Sequence, residues 1–273
     1  MKLITLPRIS FFVGLSTIHS LQSTAFAQGS LTPPGAPAPT MKTLAQVEPR
    51  TPISSAPFTI SSPGAYYLTT NLFAPPFSYA VTIAADNVSL DLHSFTIIGT
   101  NTSSGGVLVS ANRAVVANGT VRNCPSGYGV NGASADGCLF ENLNALTNAV
   151  GIYAGSHSIV HNCIASQSST GGGILCGDGN FVFSNLCNNN GNGGIYLVGS
   201  GNRIEGNQVV SNSFYQIVAA NTASAHNLII RNSLNGATPL ITGYPANWLI
   251  GPLVDSVSIA TNNNPNANYN LNQ

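Results

Sequence analysis

The stretch GIYAGSHSIVHNCIASQSSTGGGILCGDGNFVFSN, residues 151–185, holds one full period of the chain and the start of the next. It opens on Gly151-Ile152, returns to Gly173-Ile174, and carries Asn162 and Asn185 in phase with them. Working outward, glycine followed by a branched aliphatic residue occurs at Gly106-Val107, Gly129-Val130, Gly151-Ile152, Gly173-Ile174 and Gly194-Ile195. The gaps are 23, 22, 22 and 21 residues, and one more step of 22 reaches Gln216-Ile217. Asparagines form a second series: Asn118, Asn142, Asn162, Asn185, Asn207 and Asn232. A fixed period of this length marks a stacked-repeat architecture, in which each repeat buries its apolar face against its neighbours.

Each period contains a short strand-like run ending on the asparagine, as in Ser158-Ile-Val-His-Asn162 and Arg203-Ile-Glu-Gly-Asn207. Three residues before each asparagine stand Val115, Leu139, Ile159, Val182, Ile204 and Ile229, a column without a polar member that suits a strand interior. The asparagine column suits a ladder, because every amide both donates and accepts between coils. Asparagine also tolerates the left-handed backbone of a turn. The expected fold is all-β, a single-stranded parallel β-helix solenoid of about 22 residues per coil, with coils about 4.8 Å apart. A leucine-rich repeat has a similar length, but its leucine framework and helical half-repeat are missing.

The flanks read differently. Lys2 and Arg8, the apolar run from Ile9 to Ile18, and Ala25-Phe26-Ala27 together fit a secretory signal peptide over 1–27. Cleavage near Ala27 would send the mature chain to the periplasm, the cell surface or the medium. The apolar run is shorter than the roughly 20 residues of a membrane span, and no later segment approaches that length. Residues 28–57 form a proline-rich leader, in which Met41, Leu44 and Val47 predict a short capping helix ended by Pro49. Such a plug would cover the exposed end of the stack. The solenoid is expected over 58–260, with Trp248–Val254 closing its far end or pairing laterally, and residues 261–273 as an extended asparagine-rich tail.

Charged residues are 6% of the chain, against about 25% in an ordinary domain. No basic concentration exists to steer a nucleic acid, which excludes that class of partner. Five cysteines, Cys124, Cys138, Cys163, Cys176 and Cys187, are an odd number for an exported chain and include no CxxC pair. Two disulfides with one free thiol are one reading; small buried hydrophobes in the stack are the simpler one.

The segment Asn202-Arg-Ile-Glu-Gly-Asn207, with the glycine–aliphatic pairs, resembles right-handed parallel β-helix repeats of the pectate-lyase-like superfamily over residues 58–235. The leader, with Met41-Lys-Thr-Leu44 and Glu48-Pro-Arg-Thr-Pro52, is similar to secreted bacterial β-helix proteins of unassigned activity. The resemblance implies a right-handed coil and says little about reaction. Pectate-lyase relatives carry a calcium-binding aspartate cluster beside a basic residue, which this chain lacks. Polygalacturonase relatives carry an Asn-Thr-Asp segment, an Asp-Asp pair and an Arg-Ile-Lys segment; here Arg203-Ile-Glu205 departs at its last position. The calcium-binding nonapeptide repeat is absent, and a copper-maturation relative shares only the repeat pattern.

Three sets of residues are candidates for chemistry. Asp136, His157 and Asp178 follow at steps of 21 and would place two carboxylates around an imidazole, able to hold a divalent cation such as calcium. The plainer reading is a column of turn-tolerant residues. Arg122, Glu141 and His161 would supply a cation and a base for a lyase acting on uronic acids, or else an exposed solvated face. Tyr153 and Tyr196 share one slot, two residues after the glycine, and alternation points them outward, where they would stack on sugar rings. The expectation is a secreted, non-catalytic binder of extracellular carbohydrate or another surface partner, with no cofactor. A divergent polysaccharide lyase or glycoside hydrolase is the alternative, and an adhesive structural protein a third.

Overall fold

The computed structural model describes residues 47–219, 224–236, 238–243, 247–255 and 258–272. The expected signal peptide and nearly all of the expected capping helix lie outside the described residues. What is described is a parallel β-solenoid whose coils each pass over three faces. The first face stacks nine strands: Phe58–Ile60, Tyr79–Ile83, Gly105–Val109, Tyr128–Asp136, Val150–Ser156, Gly172–Cys176, Gly193–Leu197, Tyr215–Ala219 and Ile241–Thr242. The second and third faces merge into one 18-stranded sheet. They merge because Val115–Arg122 and Leu139–Leu146 run unbroken around the corner between them. A typical coil reads Gly172–Cys176 on the first face, Phe181–Phe183 on the second and Leu186–Asn188 on the third.

The pleat sends alternate side chains into the bore. From the first face come Val81, Val107, Val130, Ile152, Ile174, Ile195 and Ile217, each in register with the next and fully buried. The second face contributes Leu90, Val116, Phe140, Val160, Val182, Ile204 and Ile229. The third contributes Ile97, Val121, Ala145, Ala165, Cys187, Val209 and Leu234. Each buried Val, Leu, Ile or Phe side chain stabilises by about 1.5–3 kcal/mol. The bore has a fixed width. Where Phe140 enters it, the same coil has Ala145 opposite, and Phe140 Cζ lies 2.9 Å from where a Cβ on Gly132 would sit.

At the corners strand pairing lapses, and a backbone N–H needs another partner. Between the second and third faces it finds an asparagine of the next coil. The N–H of Cys163 donates to Asn185 Oδ1, that of Asn185 to Asn207, that of Asn207 to Asn232 and that of Asn232 to Asn268, at 2.9–3.0 Å. The Nδ2 of Asn185, Asn207 and Asn232 donates to the carbonyls of Val160, Val182 and Ile204 in the preceding coil. Each amide thus holds the coil before it closed. Between the first and second faces the chain of donors is Cys138 to Ser158 Oγ, Ser158 to Asn180, Asn180 to Asn202 and Asn202 to Asn227. At the remaining corner Cys124 donates to Asn148, Ser168 to Asn190 and Asn190 to Asn212.

The repeated glycine makes room for this last ladder. A Cβ on Gly129, Gly173 or Gly194 would lie 2.7, 2.9 or 2.6 Å from the amide nitrogen of Asn148, Asn190 or Asn212. Gln216, which breaks the glycine series, reaches into the same space, and its Oε1 accepts from Asn212 Nδ2 at 2.7 Å.

The six asparagines expected in one column divide between two. Asn185, Asn207 and Asn232 are buried ladder members. Asn118, Asn142 and Asn162 are exposed, one position earlier in the coil, at φ of 61°, 52° and 53°, in the turn conformation shared by Ser184, Gly206 and Arg231. The aliphatic column divides likewise: Val182, Ile204 and Ile229 point inward, whereas Val115, Leu139 and Ile159 align with Phe181 on the outer surface. The reason is a slip of one: Ile159 faces Phe181, a step of 22, while Asn162 and Asn185 are 23 apart.

Both ends of the solenoid extend past the expected limits. Thr51–Ile53 pairs with Gly64–Leu68, inside the stretch assigned to the leader. Asn268–Asn270, assigned to the tail, is a strand lying between Ser233–Gly236 and Leu253–Val254 and parallel to both. Asn268 is buried and closes the second-to-third corner ladder. Leu249–Ile250 adds the last rung of the second face, as the apolar patch there suggested.

All five cysteines are free and buried, so the two-disulfide reading does not hold. Cys124, Cys138 and Cys163 head the three corner series. Burial pushes the Cys163 thiol from 9.0 up to about 12, and raises those of Cys176 and Cys187 as well.

Replacing Asn207 by Ala orphans the buried Asn185 N–H and removes one donor from the Val182 carbonyl, and should cost about 3 kcal/mol. Asn162→Gly, at an exposed left-handed position, should stay within about 0.5 kcal/mol of the parent. Urea or thermal unfolding of the two variants checks the contrast. For the thiols, the native protein should resist a thiol reagent at pH 8 and expose five reactive groups once unfolded. Because the folded Cys163 value lies above the unfolded one, its contribution is complete below pH 9 and declines as pH rises toward about 12. Unfolding midpoints across that range, for the parent and Cys163→Ala, measure it.

Candidate functional site

Outside the bore, side chains are free of the packing constraint. The outer column of the first face runs Thr82, Leu108, Asn131, Tyr153, Leu175, Tyr196 and Val218. Tyr153 and Tyr196 therefore point outward, two coils apart with Leu175 between them, as their slot implied. Both are half-buried. The Tyr196 ring lies against the glycines beside it: a Cβ on Gly193 would be 3.1 Å from Tyr196 Cδ2 and one on Gly172 3.5 Å away. Tyr128 extends the surface, its ring centroid 6.3 Å from that of Tyr153. Further along, Tyr79 accepts a hydrogen bond from Asn131 Nδ2 at 2.9 Å. Burial raises the hydroxyl pKa of Tyr79 and Tyr153, so both stay neutral, able to donate and to accept.

On the second face Glu141 and His161 are in register on adjacent coils, with His161 Nε2 3.2 Å from Glu141 Oε2. The imidazole stacks on Phe183 at 4.9 Å, and Phe183 on Phe181 at 4.5 Å. Arg122 does not join them. It sits on the third face in register with Ile98 and Leu146, around the corner from Glu141. The sequence placed it beside Glu141 because it counted coils without the corner. Arg203 and Arg231, the arginines further along the second face, both pair with Glu205.

The Asp136, His157 and Asp178 column also divides. His157 Nδ1 lies 2.6 Å from Asp136 Oδ1, and both side chains are exposed. In register, however, Asp136 faces Ser156, and His157 occupies the next position, at φ 48°. Asp178 Oδ1 instead accepts the Ser200 N–H at 2.7 Å. Two of the three are brought together. Among the described residues no group of three His, Cys, Asp or Glu is placed to hold a metal ion. None of their helices is long and apolar enough to cross a membrane.

Sequence reasoning missed the amides of the other two corners. The signal was present as Asn180, Asn185 and Asn190, repeated as Asn202, Asn207 and Asn212: five residues from corner to corner. It also missed a polar cleft lined by Ser94, Asn118, Thr120, Asn142 and Asn144, because its residues come from different coils.

These features define a class. A family model described as "Right handed beta helix region" matches residues 97–246, more than half of the sequence. The chain belongs to that family, and the coil is right-handed. The crystal structure of the Dettilon tailspike protein is similar to it, with a TM-score of 0.52 and 15% identity over 82% of this chain and 54% of that one. The chain thus spans about half the length of that protein, and at this identity the likeness is one of fold. No curated protein matches the sequence.

Proposed function

We propose that this β-helix is exported and binds an extracellular polysaccharide or surface glycan without transforming it, along the first face. One observation carries the reading: Tyr153 and Tyr196 project from the same column two coils apart, about 9.6 Å by strand spacing. That is close to the length of a disaccharide unit. Both rings are half-buried, and that of Tyr196 is braced by Gly172 and Gly193, so ordering them on binding costs little entropy. Export rests on the basic, apolar and small-residue pattern of residues 1–27.

A second reading, a polysaccharide lyase or glycoside hydrolase, is favoured by the Glu141–His161 pair, an arrangement able to move a proton. Binding is preferred because, among the described residues, no arginine is paired with either member. A lyase acting on uronates needs a cation to neutralise the substrate carboxylate; Arg122 lies around the corner, and Arg203 and Arg231 are tied to Glu205.

A glycan array probed with the mature protein should give a binding signal, and Tyr153→Ala and Tyr196→Ala should each weaken it about three- to tenfold. An array with no bound glycan, or variants that bind as the parent does, would overturn the reading. Release of reducing ends or unsaturated sugar from a polysaccharide panel, lost in Glu141→Gln, would establish the enzyme instead.

A further inference from the structure

The corner between the second and third faces carries a cleft of about 310 Å³ near the N-terminal end of the described solenoid. That is at the lower end of the range for small-molecule sites. Its polar lining comes from Ser94, Asn118, Thr120, Asn142 and Asn144. We infer that this cleft is a second ligand site, specific for an uncharged, hydroxyl-rich ligand such as a neutral sugar unit. It stands apart from the tyrosine face and does not depend on it.

The amides here are arranged but not used up. Asn142 Nδ2 donates to Asn118 Oδ1, and Asn118 Nδ2 to Asp91 Oδ1, both at 3.2 Å. This relay fixes which end of each amide faces outward. The side chains of Thr120 and Asn144 have no protein partner among the described residues, and Asn142 Oδ1 has none either. Amide and hydroxyl groups that both donate and accept suit the paired hydroxyls of a sugar ring.

Charge selects in the same direction. Asp91 is the acid nearest this relay, and it is fully engaged: Oδ1 accepts from the His93 N–H and from Asn118, and Oδ2 pairs with Arg50 at 3.1 Å. The lining presents neither a free cation to an anionic ligand nor a free carboxylate to a metal. Beside Ser94, the rings of Tyr67, His93 and Phe95 follow one another in edge contacts of 5.7 and 6.1 Å.

The fold does not require these polar groups. The inner corner positions of the two coils are Gly119 and Leu143, which carry no amide. Asn118 and Asn142 occupy exposed left-handed positions that glycine would fill as well. The opening follows from His93 and Ser94, two successive left-handed residues where the following coils have one.

Isothermal titration of the full mature chain with cellotriose, maltotriose and trigalacturonate tests the site. At least one neutral trisaccharide should bind and trigalacturonate should not. Asn142→Gly, which suits the backbone, and Asn144→Ala should each weaken binding about tenfold or more, with unchanged thermal midpoints. The combined Tyr153→Ala and Tyr196→Ala variant should bind as the parent does. Three outcomes would overturn the inference: neither neutral trisaccharide binding at millimolar concentration, trigalacturonate binding as tightly, or binding lost with the tyrosines and kept in the cleft variants.

Discussion

A polypeptide wound into a solenoid meets the same difficulty three times per coil. At each corner the backbone leaves the strand ladder, and its N–H and C=O groups turn toward an apolar bore where no water is available to satisfy them. An unpaired buried donor costs about as much as a hydrogen bond provides. Here the next coil supplies the missing partner as a side-chain amide. The Asn185–Asn207–Asn232–Asn268 series makes both kinds of bond, accepting from one N–H and donating to one carbonyl of the preceding coil. The rest of the architecture depends on that arrangement. The glycine repeat leaves room for it, Gln216 substitutes for it, and the C-terminal tail folds back to supply its last member.

A second constraint follows from the first. Once corners and register are fixed, the bore accepts little variation in volume, so Phe140 is matched by Ala145 and by the bare backbone of Gly132. The outer surfaces carry no such obligation. Glycines beside Tyr196 brace its ring, Glu141 meets His161 across coils, and the amides of Asn118 and Asn142 relay to Asp91. The recognition chemistry proposed for this molecule draws on side chains that the stack does not need, which is the general logic of sites built on a repetitive scaffold.

Much of this was legible in the sequence, and the failures share one cause. The glycine–aliphatic pairs predicted the first-face register correctly through Ile217, because an inward column admits only apolar residues and the register follows from counting. Tyr153 and Tyr196 were placed correctly for the same reason. The asparagine series was not, because asparagine suits two adjacent positions, an exposed left-handed turn and a buried amide ladder, and a sequence does not say which it fills. That slip of one residue displaced Val115, Leu139 and Ile159 from the core to the surface. A similar slip separated Asp178 from Asp136 and His157, and a corner overlooked in the count set Arg122 beside Glu141.

The repeat, the all-β parallel stack and the inward column of the first face follow from the residues alone, since periodic burial of apolar surface has few solutions at this spacing. Tertiary structure decided what the polar residues do. Coil-to-coil steps are unequal, 20 residues from Leu139 to Ile159 but 26 from Ser89 to Val115, and a shift of one residue exchanges inside for outside. Only the folded register could separate the amides that hold the coils together from those left facing solvent, or bring Asn118, Asn142 and Ser94 from three coils to one cleft.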